Sequence, residues 1–202
     1  MDIKISNLSK QFDQKEIFQN INMTFHEGKI NCFMGPSGIG KTTLIHILLG
    51  LTESDSGEVQ GIQGKRISAV FQEDRLIEHL DAVKNIKLVC EKAVPKSIIE
   101  QELAKVNLTD YQDKPVKNLS GGMRRRVAIV RAMLAVSDII IMDEPFKGLD
   151  DVLKKRVIEY VKQKSEGKTV IVITHDGEEV RLLDANVVLL DRNTEEQILT
   201  IM

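Results

Sequence analysis

Two short segments of the chain combine glycines with side chains that could hold an anion. The first reads Gly-Pro-Ser-Gly-Ile-Gly-Lys-Thr-Thr over residues 35–43, which fits the pattern G-x-x-x-x-G-K-[ST]. Its glycines let the backbone turn tightly and bring N–H groups against phosphate oxygens. In this pattern Lys41 reaches the β- and γ-phosphates of a nucleotide, and the Thr42 hydroxyl binds Mg²⁺. The predicted nucleotide-binding residues of this loop are Gly35, Pro36, Ser37, Gly38, Ile39, Gly40, Lys41, Thr42 and Thr43.

The residues on either side of this loop have the order that phosphate binding needs. Residues 29–34 are apolar and β-prone, and an apolar helical pattern follows Lys41. A helix that begins there directs the positive end of its dipole at the bound anion. A glycine turn before a core helix is the alternative, but the strand, loop and helix in this order favour phosphate binding.

The second segment, Leu-Ser-Gly-Gly-Met at residues 119–123, precedes another predicted helix. Ser120 is a good N-cap residue, and Gly121 and Gly122 allow an anion to approach the backbone closely. The segment is therefore a second helix N-terminus suited to phosphate. In isolation a capped turn would explain it equally well.

Two carboxylates follow a buried strand that is predicted over residues 138–142. They are Asp143 and Glu144, at the carboxyl end of the strand, where ligands collect in open α/β sheets. Asp143 suits the Mg²⁺ shell, directly or through water. Glu144 suits the orientation and deprotonation of an attacking water molecule.

The composition is that of an ordinary globular domain. The 202 residues are enough for one well-buried domain, with 42% hydrophobic and 29% charged residues. A net charge of −2 gives no general reason to expect nucleic acid or an anionic membrane surface as a partner. No apolar run is long enough to span a bilayer, and the N-terminus lacks a signal-peptide core. Two isolated cysteines, Cys32 and Cys90, indicate reduced side chains in a cytosolic protein.

Strand and helix patterns alternate along the chain and predict an α/β fold. With the phosphate-loop motif at residues 35–43, the expected fold resembles that of P-loop NTPases, with a mostly parallel core sheet, an N-terminal antiparallel β subdomain and an inserted α-helical subdomain. The core is expected at about residues 1–72 and 138–202, and the helical subdomain at about 73–137. The predicted elements are two N-terminal strands joined near residues 13–15, strands at 57–62, 66–71, 138–142, 169–174, 186–190 and 197–201, and helices at 81–111 (divided by Pro95), 122–136 and 152–164.

A run of three arginines, Arg124, Arg125 and Arg126, lies at the start of the helix after the second segment. A nucleic-acid patch is one interpretation of such a run. Because the whole chain is slightly acidic, a solvated or interface-pairing role is the preferred prediction.

Taken together, these motifs resemble those of the ATP-binding subunit of ABC transporters, over nearly the whole chain. Residues 35–43 are similar to the family's Walker A, residues 139–144 to its Walker B, and residues 119–123 to its LSGGQ signature. The resemblance places Gln72 at the loop glutamine that senses Mg²⁺ and His175 at the switch histidine that touches the γ-phosphate. It also places Phe12 against the adenine ring, where stacking needs only a π-face. The catalytic residues implied are therefore Glu144, His175 and Gln72, with Thr42, Gln72 and Asp143 as metal ligands.

The chain departs from the family pattern at three places. Met123 replaces the usual signature glutamine, which removes one polar contact but leaves the Ser-Gly-Gly backbone. Phe12 replaces the commoner tyrosine and should preserve stacking. Lys147 and Gly148 replace the usual Ser-Ala before Leu149 and Asp150.

The resemblance implies ATP and Mg²⁺ as cofactors and a head-to-tail homodimer in which each ATP site joins one chain's Walker loops to the other's signature. It implies polytopic membrane permease subunits, an extracytoplasmic solute-binding protein and a location on the cytoplasmic face of the membrane, without nucleic acid. The expected function is hydrolysis of ATP to power solute transport. Residues 71–76 and 143–150 look similar to those of importers of nitrate, sulfonates or related small anions. A soluble ABC-type ATPase acting on DNA or the ribosome is the alternative, but those relatives carry a long insertion or two fused modules. A GTP switch would need an Asn-Lys-x-Asp element that the sequence lacks.

Overall fold

Eight strands and six helices make up the part of the chain described by the computed structural model, residues 1–13, 15–91 and 94–190. The strands are β1 Ile3–Phe12, β2 Lys15–Phe25, β3 Ile30–Met34, β4 Ser56–Gln60, β5 Ile67–Val70, β6 Ile139–Asp143, β7 Thr169–Ile173 and β8 Asn186–Leu189. The helices are α1 Lys41–Leu48, α2 Ala82–Lys87, α3 Lys96–Lys105, α4 Gly121–Leu134, α5 Asp151–Lys164 and α6 Gly177–Leu183, with a 3-10 turn at Val116–Asn118. The strand expected at residues 197–201 lies outside the described residues.

A five-stranded parallel sheet with the order β5-β6-β7-β3-β8 forms the centre of the molecule. Every residue of β6 and β7 is buried, as the continuous apolar runs of these strands require when both faces of a sheet are covered. β7 is the middle strand, with β3 and β6 as its neighbours. Because the three strands are parallel, their carboxyl ends lie side by side, and so do the loops that follow them.

A three-stranded antiparallel sheet, with the order β2-β1-β4, packs over part of the parallel sheet. The two sheets share one apolar core with α1. In that core the rings of Phe25 and Phe33 meet edge to face with their centroids 5.7 Å apart. The predicted α/β fold class, with a parallel core sheet, an antiparallel β subdomain and inserted helices, is confirmed.

In the described residues between β5 and β6, the regular elements are helices and no strand is present, as the sequence predicted. The predicted helical span of 81–111 is too long, since α3 ends at Lys105. Asn107 follows with a φ of 55°, a left-handed conformation that asparagine tolerates and that commonly ends helices. Its N–H bonds to Ala104 O at 3.0 Å, and the N–H of Leu108 bonds to Leu103 O at 3.0 Å, which closes the last turn.

The short helix α6 was not predicted from the sequence. Its N-cap is Asp176, whose side chain accepts a hydrogen bond from the N–H of Glu178 at 2.8 Å. An aspartate followed by Glu178 and Glu179 in the first turn was the available signal, since acidic side chains favour helix N-termini. Across the described ranges, no helix combines the length and apolar character that crossing a membrane requires.

Candidate nucleotide-binding and hydrolysis site

The loop between β3 and α1 forms a tight cradle around its own lysine. The ammonium of Lys41 donates hydrogen bonds to the carbonyls of Gly35 and Pro36, at 2.7 and 2.9 Å. Gly40, just before α1, has a φ of 112°, and a Cβ there would lie 2.6 Å from Cγ2 of Ile17. Glycine is therefore required at this position both by conformation and by space.

This loop, the end of β6 and the end of β7 border a cleft of about 410 Å³. The cleft collects most of the predicted phosphate and metal ligands at the carboxyl edge of the parallel sheet. Its lining residues are Ile17, Ser37, Gly38, Gly40, Lys41, Thr42, Thr43, Gln72, Asp143, Glu144, Lys147 and Ile173. Three of these, Ile17, Lys147 and Ile173, were not predicted to line the site.

The candidate magnesium ligands meet at one side of the cleft. The Thr42 hydroxyl donates a hydrogen bond to Oδ2 of Asp143 at 3.2 Å, while Oδ1 of Asp143 is buried without a hydrogen-bond partner in the described chain. Burial raises the pKa of Asp143 and neighbouring Glu144 raises it further, against the hydrogen bond from Thr42 and the nearby amide of Gln72, which lower it. A buried carboxylate with a spare oxygen, beside a hydroxyl and an amide, matches the oxygen ligands that Mg²⁺ prefers. Thr42, Gln72 and Asp143 are therefore suitable ligands for Mg²⁺.

Glu144 lies next to these ligands, with its carboxylate between the ammonium of Lys147 and the imidazole of His175. The Lys147 ammonium is 2.8 Å from Oε2 of Glu144, and Nδ1 of His175 is 3.6 Å from Oε1. The hydrogen bond from Lys147 is the main reason that the pKa of Glu144 lies below its ordinary value. The backbone of Glu144 has a φ of 47°, and its N–H bonds to the carbonyl of Ile173 at 3.1 Å. The end of β7 thus fixes a strained backbone that directs the carboxylate into the cleft.

The second glycine segment lies elsewhere on the molecule. Ser120 is the N-cap of α4, and its hydroxyl accepts the N–H of Met123 at 3.3 Å, as predicted. A Cβ added to Gly122 would meet Leu149 and Gly148 at 3.6 and 3.8 Å, and one added to Gly121 would meet nothing within 4 Å. None of Ser120, Gly121 and Gly122 lines the 410 Å³ cleft formed by described residues. The chain does not bring its two predicted phosphate-binding segments into one pocket.

Phe12 is at the end of β1, and 45% of its surface is exposed. The Lys10 ammonium lies 4.9 Å from the centroid of its ring, at cation–π distance. Phe12 does not line the cleft in the described structure, but Ile17 of the next strand does. The ring predicted to meet adenine is therefore partly exposed to solvent, with the Lys10 ammonium over it.

The prediction that the arginine run is solvated or pairs at an interface was wrong for Arg125 and Arg126. Each is only 8% exposed. Arg126 donates from Nη1 to the carbonyls of Val106 and Asn107, at 3.1 and 2.5 Å, and Arg125 donates to backbone carbonyls after β5. Buried guanidinium groups that bond to carbonyls hold the fold of the helical segment and are not free to bind nucleic acid.

Residues 18–147 match the protein family described as ABC transporter. The chain belongs to the ABC transporter family. Membership confirms the predicted resemblance to the family's ATP-binding subunits.

Solved structures of this family have the same fold. The dimeric structure of MJ0796, a bacterial ABC transporter cassette, superposes with a TM-score of 0.83 and 28% identity, covering 98% of this chain and 100% of that one. A post-hydrolysis state of the MJ0796 cassette bound to ADP and Pi gives a TM-score of 0.82 with 27% identity.

Curated relatives are ATP-binding proteins of import systems. The chain is 33% identical to the spermidine/putrescine import ATP-binding protein PotA of Spiroplasma citri, over 97% of this chain and 61% of the relative. It is also 33% identical to the sulfate/thiosulfate import ATP-binding protein CysA of Xanthomonas campestris pv. campestris, over 98% of this chain and 64% of the relative. The chain therefore spans about three fifths of the length of these relatives.

Proposed function

We propose that this chain binds and hydrolyses ATP in a homodimer and that closure of the dimer powers the movement of a solute across a membrane. The observation that carries the proposal is the separation of two phosphate-binding segments on one chain. Lys41, Thr42, Asp143 and Glu144 share one cleft, while the Ser120-Gly-Gly segment at the start of α4 lies outside it. A second copy placed head to tail would bring its α4 N-terminus to the γ-phosphate held by the first.

The roles of the cleft residues follow from their contacts. Lys41 and the loop N–H groups bind the β- and γ-phosphates. Thr42, Asp143 and Gln72 would hold Mg²⁺, which supplies positive charge against the phosphate oxygens. Glu144, kept ionised by Lys147, accepts a proton from the attacking water.

The residue that follows the loop end of β7 would bring a second side chain to the γ-phosphate of a bound nucleotide. His175 follows β7 and lies 3.6 Å from Glu144, so its imidazole can contact a terminal phosphate held beside that carboxylate. Hydrolysis removes the group that joins the two helix N-termini, and the dimer opens. This is a rigid-body switch driven by one phosphate.

To transmit movement to a membrane partner, the chain must contain two parts that move relative to each other. We assign residues 1–72 and 138–202 to the nucleotide-binding body and residues 73–137 to a helical body that moves against polytopic permease subunits through Gln72. The import roles named for PotA and CysA support this coupling. A peripheral position on the cytoplasmic face and an extracytoplasmic solute-binding protein complete the proposed assembly, and the nitrate or sulfonate subgroup stays a prediction.

Lys41→Ala tests nucleotide binding directly. Loss of a charged contact to phosphate should weaken ATP affinity about 10- to 100-fold. Isothermal titration calorimetry with MgATP measures the change. Lys65→Ala is the matched control, because Lys65 pairs with Glu27 outside the cleft and should leave affinity unchanged. Equal affinity of Lys41→Ala and Lys65→Ala would contradict the assignment of the phosphate loop.

Phe12→Ala tests the adenine contact. Base stacking on an aromatic ring is worth enough that its loss should weaken ATP affinity about tenfold. Phe12→Tyr keeps the π-face and should bind like the unchanged chain. Titration with ATP and with inorganic triphosphate separates the two parts of the site, since only ATP affinity should fall. An equal loss for triphosphate would argue that Phe12 acts through the fold.

A further inference from the structure

The backbone of the segment that carries Gln72, residues 71–76, is held by side chains and not by other backbone groups. Although it directly follows β5, none of its backbone groups exchanges a hydrogen bond with another backbone group in the described chain. Its carbonyls instead accept hydrogen bonds from arginine side chains of α4. Secondary structure therefore does not position Gln72.

Arg125 provides the contacts nearest to Gln72. Its Nη1 donates to the carbonyl of Phe71 at 2.5 Å and its Nη2 donates to the carbonyl of Gln72. Its Nε lies 3.3 Å from Oδ1 of Asp74. The planar guanidinium thus uses all three nitrogens on one four-residue stretch, an arrangement that lysine could not reproduce.

Arg131, further along α4, holds the rest of the segment. Its Nη1 donates to the carbonyl of Arg75 at 2.9 Å, and its Nη2 donates to that of Asp74 at 3.2 Å. Arg124 contributes less, because its Nε is 3.7 Å from Asp74 and it makes no hydrogen bond to the segment's backbone in the described chain. Among the described contacts of the three consecutive arginines, only those of Arg125 reach the backbone of Gln72.

We propose that Arg125 is a positioning residue that ties the backbone of Gln72, at the boundary of the nucleotide-binding body, to α4, so that Gln72 follows any movement of the Ser120-Gly-Gly segment. Both segments are then carried by one helix, with Ser120 at its N-terminus and Arg125 one turn later. Movement of α4 towards a partner's nucleotide would change the position of Gln72 in its own chain's cleft. The effect of this tie on catalysis rests on the proposed function. The contact between Arg125 and the backbone of Gln72 is a property of the chain alone.

The tie is tested by ¹⁵N relaxation of the Gln72 amide in the full chain without nucleotide. In the unchanged chain and in Arg124→Gln we expect an order parameter of about 0.85, and in Arg125→Gln a fall below about 0.6. Amides within β6 should not change, which excludes general loosening of the fold. An order parameter for Gln72 in Arg125→Gln equal to that in Arg124→Gln would overturn the proposal.

Arg125→Lys keeps the positive charge beside Asp74 but cannot bridge two carbonyls. It is the deciding variant if Arg125→Gln does not fold, as judged by circular dichroism. A fall in the Gln72 order parameter to between the two values supports the tie, and no fall overturns it.

The consequence for activity is measured separately. Arg125→Gln should lower kcat for MgATP about tenfold or more, with ATP affinity within about twofold, because Gln72 is misplaced while the phosphate loop is intact. A matched loss in Arg124→Gln would overturn the specific role of Arg125. If the unchanged chain itself hydrolysed no ATP, the proposed function would fail, whereas the relaxation result would still decide the tie.

Discussion

Glu144→Gln is expected to lower the rate of ATP hydrolysis by about 100-fold or more while leaving ATP affinity intact. The amide is nearly isosteric but cannot accept a proton from water, so binding contacts survive and the chemical step does not. The Lys147 ammonium and His175 would remain beside the new amide. Phosphate release under single-turnover conditions measures the step, and calorimetry measures the affinity.

The same variant should accumulate as a dimer in MgATP. When hydrolysis is blocked, the γ-phosphate continues to join the phosphate loop of one chain to the Ser120-Gly-Gly segment of the other. Light scattering in MgATP should therefore give twice the monomer mass, and in MgADP the monomer mass. A monomer of Glu144→Gln at saturating MgATP would contradict the shared site.

The second large effect is expected when two inactive variants are mixed and restore ATPase activity in mixed dimers. Lys41→Ala removes the phosphate loop's cation but leaves the α4 N-terminus unchanged. Gly122→Asp places a negative charge at that N-terminus, where it would repel phosphate, but leaves the cleft unchanged. Each variant alone should retain only a small fraction of the original ATPase activity.

When the two variants are mixed in equal amounts, half of the dimers should contain one intact site. That site combines the cleft of the Gly122→Asp chain with the α4 N-terminus of the Lys41→Ala chain. Activity of the mixture should then recover to about a quarter of the original, if the two sites of a symmetric dimer act independently. Mixing Lys41→Ala with Glu144→Gln is the control, because both changes fall in the same cleft and no intact site forms. Recovery in the control, or none in the first mixture, would contradict the head-to-tail arrangement.

The features that the sequence predicted well depend on local patterns. The loop before Lys41 is marked by glycine spacing, and β6 and β7 are marked by unbroken apolar runs that only a doubly covered strand can bury. The meeting of Asp143 with Thr42 needed only that β6 and β3 lie on either side of β7.

The features that the sequence did not predict depend on contacts between distant segments. Ile17 reaches the cleft because β2 packs over Gly40, and no pattern within β2 records that contact. Lys147 has the charge of a surface residue, and its pairing with Glu144 depends on the turn that follows β6. Arg125 and Arg126 were predicted to be solvated or to pair at an interface, because runs of charged residues usually lie on the protein surface. In the structure, backbone carbonyls without other partners accept hydrogen bonds from both guanidinium groups. These bonds make the burial of Arg125 and Arg126 favourable.

The position of the Ser120-Gly-Gly segment outside the cleft has a kinetic consequence. In the proposed mechanism an isolated copy binds ATP but cannot hydrolyse it, because the second phosphate-binding segment must come from a partner. The specific activity of dilute protein should therefore depend on how often two copies collide. Mounting both copies on one membrane assembly would remove that dependence, because tethering raises their effective concentration. Energy consumption would then be governed by the assembly that carries the two subunits and no longer by the abundance of the free chain.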